Sequence, residues 1–87
     1  MNKLTDIQTD IGVLEQIIDA LEQKLYHKAL NICVLRANVY YKQRSIIQSQ
    51  LKHNIKIDMV NGTRYAVDYA RHLLSDLEWE EKLCQQN

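Results

Sequence analysis

Proline is absent from this chain of 87 residues, and glycine occurs only at Gly12 and Gly62. Without proline to interrupt helical hydrogen bonding, and with few residues suited to tight turns, long helices are favoured over a strand-rich fold. Also missing is any acidic side chain between Gln23 and Ile57, because all 11 carboxylates lie outside that stretch. Lys24, Lys28, Arg36, Lys42, Arg44, Lys52 and Lys56 lie inside it, so a net charge of +0 conceals a basic middle between acidic ends. Such blocks either pair within the fold or present a cationic surface to an acidic partner.

Cysteine is scarce too. Cys33 and Cys84 are far apart and have no His or Cys at ligand spacing, which argues against a disulfide framework or a zinc site and for two buried, reduced thiols. No run approaches the roughly 20 apolar residues that span a bilayer, so no membrane partner is expected. Asp6, Asp10, Glu15, Asp19 and Glu22 interrupt the first segment where a secretory signal would be apolar, which points to a cytoplasmic location.

What is present is the composition of an ordinary globular protein, 46% hydrophobic and 25% charged. It is read as a single helical domain over residues 1–87. A core this small often gains stability by association, so a homodimer is expected.

Leu4, Ile7, Ile11, Leu14, Ile18, Leu21 and Leu25 alternate steps of three and four, the a/d seam of a coiled-coil helix. Thr5 or Asp6 suits its N-cap, and Asp6 and Asp10 lie where the helix dipole favours carboxylates. Gly12 weakens this helix by about 1 kcal/mol without ending it and suggests a close helix contact. Further on, Ile32, Leu35, Val39 and Ile46 form one seam and Leu30, Cys33, Ala37, Tyr40, Ile47 and Leu51 another. A helix apolar on two sides is a central helix, sandwiched between neighbours. A break near Tyr26 to Lys28 separates it from the first helix, since a compact core needs the chain to return.

Asn61-Gly62 is the one clear punctuation mark, with Thr63 as a good N-cap for a helix running to Cys84. Because Ile55, Ile57 and Met59 alternate with polar residues ahead of Asn-Gly, a short β-hairpin over 55–67 competes with a helical reading there. The expected fold is all-α: a three-helix bundle, or a helical hairpin with a long central helix, with helices near 5–26, 28–53 and 63–85.

Two surfaces stand out. In the last helix Ala66, Tyr69, Ala70, Leu73, Leu74, Leu77 and Cys84 form the core face. Tyr65, His72, Asp76, Trp79 and Leu83 recur on another side, an aromatic and charged mixture typical of binding hot spots. In the central helix Lys24, Lys28, Lys42, Lys52 and Lys56 fall on one arc, while Arg44 points to an apolar side and is the cation expected to form a specific ion pair.

Catalysis finds little support. His27, His53 and His72 are isolated, no nucleophile motif or glycine-rich phosphate loop is present, and no cofactor is implied. Asp68, His72 and Asp76 lie at i, i+4 and i+8, which helix-surface pairing explains. The leading expectation is a non-enzymatic regulator or adaptor, an inhibitor, antirepressor or chaperone-like protein, that binds a protein partner. The alternative is a nucleic-acid-associated regulator using the lysine stripe, against which stand the neutral net charge and the lack of any recognised nucleic-acid motif.

Overall fold

The computed structural model describes residues 3–33 and 44–86, with Arg44 described in its backbone alone. Among the described residues four helices follow one another: α1 (Lys3–Glu22), α2 (Tyr26–Ile32), α3 (Arg44–Asn61) and α4 (Tyr65–Gln85). Among the described residues there is no strand.

α1 and α4 form the most extensive helix contact, and α2 and α3 complete a ring in which each helix packs mainly on two neighbours. α1 runs antiparallel to α4, as Lys3 reaches Glu80 at one end and Glu22 reaches Arg64 and Arg71 at the other. The core is aliphatic: Ile7, Leu14 and Ile17 from α1, Ala29 from α2, Leu51 and Ile55 from α3, and Ala66, Ala70 and Leu77 from α4 are all essentially excluded from water. Its bundle is elongated, 44 × 22 × 17 Å.

The chain leaves α1 through a turn that glycine usually makes. The Leu25 N–H donates to the Ala20 carbonyl and the Lys24 N–H to the Leu21 carbonyl, the paired bonds of a Schellman C-cap. Lys24 takes the left-handed conformation this requires, at φ 60. A side chain there costs on the order of 1 kcal/mol relative to glycine. The break therefore falls at Gln23 to Leu25, slightly ahead of the expected position.

The single helix expected over 28–53 is not formed. α2 is only 7 residues long and ends at Ile32, with Cys33 at φ −67, ψ 75, outside helical geometry. So short a helix is marginal in isolation and is held by burying Ala29 and Cys33. Its second seam is thereby divided between elements. Leu35, Ala37, Val39 and Tyr40, which belong to the two expected seams, lie outside the described residues.

The β-hairpin over 55–67 is likewise replaced by helix. Ile55, Ile57 and Met59 belong to α3, which continues to Asn61. The chain reverses at Gly62, whose φ of 69 is the left-handed geometry that ends α3. The alternation is real in the sequence, but only Ile55 is fully buried, while Ile57 and Met59 are intermediate.

The seam of α1 is rotated from its expected position. Asp6, Ile7, Asp10, Leu14, Ile17, Ala20 and Leu21 are the buried residues, whereas Leu4, Ile11 and Ile18 are half-buried and Leu25 is 43% exposed. Asp6 and Asp10, expected near the helix start where the dipole favours carboxylates, are buried inside the bundle at 5% and 0% exposure. Gly12 marks no close contact among the described residues, since a Cβ there would meet none of their atoms within 4 Å.

Candidate functional site

The flank of α4 that the sequence singles out is open to solvent. Tyr65 is 58% exposed, Trp79 61% and Leu83 40%, and His72 and Asp76 are exposed between them. At 100° per residue these five side chains fall within an arc of about 60°, centred about 120° from the buried line of Ala66, Ala70, Leu73 and Leu77. From Tyr65 to Leu83 the flank runs about 27 Å along the axis. Beside it a groove is lined by Ser75, Glu78, Trp79 and Lys82.

The helix that presents this flank is fixed at its start by a side chain from the preceding helix. Thr63, the expected N-cap, does not cap α4. Arg64 occupies the N-cap position and makes no side-chain capping bond. Asp58 caps the helix instead, its carboxylate accepting hydrogen bonds from the Tyr65 N–H at 3.1 Å, from the Ala66 N–H at 2.8 Å and from the Thr63 hydroxyl. The charge lies near the C-terminal end of α3, where the dipole opposes it, and directly against the N-terminus of α4, where donated bonds and dipole favour it. At 2% exposure the carboxylate depends on those three donors. Sequence reasoning missed Asp58 because a cap seven residues before its helix matches no local capping pattern.

Glu22 anchors the same end from α1. One oxygen accepts from Arg64 at 2.9 Å and Arg71 at 2.8 Å. The hydrogen bond from Arg71, followed by the field and bond of Arg64, holds its carboxyl below the usual glutamate range. Burial of Cys33 pushes its thiol up to about 11 against the opposing field of Lys52. That thiol donates to the Ala29 carbonyl at 3.3 Å and is inert by burial.

The lysines reach one edge by a route other than a single helix face. Lys24 lies in the first turn, Lys28 on α2, and Lys52 and Lys56 on α3; Lys42 lies outside the described residues. α2 and α3 run antiparallel: Lys24, Leu25, Tyr26, His27 and Lys28 line a depression with Met59, while Cys33 at the far end of α2 feels Lys52. On α3 itself Lys52, Lys56 and Met59 share one flank at steps of four and three. The four described lysines are exposed, and among the described residues none has a carboxylate within ion-pair distance. The ion pairs found there use Lys3, Arg64 and Arg71 instead. The side chain of Arg44, expected to form a specific ion pair, lies outside the described residues.

Among the described residues no group of three or more His, Cys, Asp or Glu side chains is placed to hold a metal ion. Nor is any helix there long and apolar enough to cross a membrane. No protein-family model, no curated protein and no solved structure matches the chain.

Proposed function

We propose that this chain is a small non-enzymatic regulator or adaptor that acts by binding a protein partner through the Tyr65, His72, Asp76, Trp79 and Leu83 flank of α4. The observation that carries this reading is the exposure of Trp79 and Tyr65 on a helix whose own core needs are met by Ala66, Ala70, Leu73 and Leu77. An indole and a phenol held on a rigid helix lose little conformational entropy on binding and contribute large apolar areas. Asp68, Asp76 and Glu78 around them are exposed, so a basic partner surface is favoured through steering. The protein is read as cytoplasmic, without a cofactor, and as self-associating.

The test is capture of a partner from host lysate with nuclease present, comparing the wild-type chain with Trp79→Ala. Loss of a stoichiometric protein partner, with the helical circular dichroism kept, is the expected result. Equal capture by Trp79→Ala refutes the assignment of the flank.

A second reading rests on the four lysines that have no ion-pair partner among the described residues. A nucleic-acid-associated regulator would use Lys24, Lys28, Lys52 and Lys56 against phosphates, and its affinity would fall steeply with salt. Binding of labelled single- or double-stranded nucleic acid that weakens on Lys-to-Glu change along this edge would favour it over the first.

A further inference from the structure

The two exposed surfaces are chemically opposite. The flank of α4 offers an indole, a phenol and a leucine among carboxylates: the helix carries Asp68, Asp76, Glu78, Glu80 and Glu81 against Arg71 and Lys82. Of these, Arg71 is already engaged by Glu22 and Glu80 by Lys3. The edge between α2 and α3 offers the reverse, a depression walled by Leu25, Tyr26 and Met59 and rimmed by Lys24, His27 and Lys28. Lys52 and Lys56 extend the positive charge along α3.

Size limits the occupant. At about 280 Å³ the depression lies just below the range of drug-sized ligand sites, and it is open to solvent rather than enclosed. It suits a single large side chain presented by another surface. Lys24 is part of the rim through the left-handed turn at φ 60, a position that glycine would occupy with less strain. The turn thus holds a cation at the mouth of an apolar recess at a conformational cost of about 1 kcal/mol.

From this complementarity we infer that the occupant is a second copy of this chain, whose acidic α4 flank seats Trp79 in the depression bounded by Lys24, Lys28 and Met59. The inference rests on the reading of that flank as a binding surface and names a partner for it. A chain with a net charge of +0, whose cationic edge finds no acidic partner among the described residues of its own fold, meets its complement in its own α4. The contact joins unlike surfaces, so each copy carries both a donor and a receiver.

Sedimentation equilibrium of the purified full chain tests this. The weight-average mass should rise above 10.3 kDa with concentration at low salt. It should return to the monomer value near 1 M salt, where the screening length falls to about 3 Å. Trp79 is the sole tryptophan, so its emission should shift to shorter wavelength over the same concentration range. Trp79→Ala and the double variant Lys24→Glu, Lys28→Glu should each stay monomeric alone. Mixed, they should form a one-to-one complex, because one retains the receiver and the other the donor.

A wild-type chain that stays monomeric at every concentration overturns the inference, as does self-association accompanied by no tryptophan shift. So does a mixture of the two variants that fails to associate, which would mean that like surfaces meet. Binding of an acidic peptide to the lysine edge without self-association would assign the depression to a foreign partner and overturn it too. Because these readouts use the purified chain alone, their failure leaves the lysate test of the α4 flank standing.

Discussion

Where α3 turns into α4, Asp58 is buried and accepts three hydrogen bonds, whereas toward the opposite end of the bundle Asp6 is buried to a similar degree and its Oδ2 accepts none from the described residues. Both sit on helices, at buried positions. Asp58 is surrounded by the free N–H groups of a helix start, which reward a carboxylate. Asp6 lies in the first turn of α1 but on its core face, where its Oδ2 is buried without a donor among the described residues. The difference shows that a buried aspartate is a structural anchor only when its environment supplies donors. The turn end of the bundle is organised around one such residue, with Glu22, Arg64 and Arg71 adding a second, solvent-exposed link.

The largest effect expected from this contrast is that of Asp58→Ala. It leaves the start of α4 uncapped and should destabilise the fold by about 2 to 3 kcal/mol in urea unfolding. A change within about 0.5 kcal/mol would mean that water caps the helix equally well. Asp6→Leu should run in the opposite direction, raising stability by about 1 kcal/mol, since an apolar side chain removes an unsatisfied buried acceptor. A loss of similar size would show that the Asp6 carboxylate is compensated after all.

The two glycines give a smaller pair of opposed effects. Gly12 lies inside α1 with open space at its Cβ position, so Gly12→Ala should stabilise by about 0.5 to 1 kcal/mol. Gly62 holds φ 69, so Gly62→Ala should destabilise by about 1 kcal/mol. Thermal unfolding followed by circular dichroism separates the signs.

Smallest is the contribution of Glu22. Its carboxyl titrates below its ordinary value of 4.5, so the stability it provides is present above that value and is lost as pH falls through the depressed one. Glu22→Gln should remove this acid-side dependence, and the difference from wild type should shrink with salt because the group is exposed.

The helical class, the return of the chain near Tyr26 and the Gly62 turn were legible in the sequence because each has a local cause: periodicity, the need for compactness and Asn61-Gly62. So was the exposure of Tyr65, Trp79 and Leu83 on α4, since they fall outside the arc that Leu73 and Leu77 require. The end of α2 at Ile32 had no such mark, because neither glycine nor proline stands there and burial of Ala29 and Cys33 decides it. The rotation of the α1 face was hidden for a related reason. Leu4, Ile11 and Ile18 match a heptad as well as Ile17 and Ala20 match the true core, and only the placement of α4 and α2 chooses between them. The lysines were read as one stripe on one helix. They share an edge because α2 and α3 run antiparallel, a tertiary fact.

Under the proposed function, Trp79 belongs to a contact surface and contributes little to the fold. Urea unfolding of Trp79→Ala measures this directly. Measured near 1 M salt, where the chain is monomeric, the free energy of unfolding should stay within about 0.5 kcal/mol of wild type, as for a surface position. A loss of about 3 to 5 kcal/mol, the cost of removing a core tryptophan, would contradict the proposal and return Trp79 to the interior.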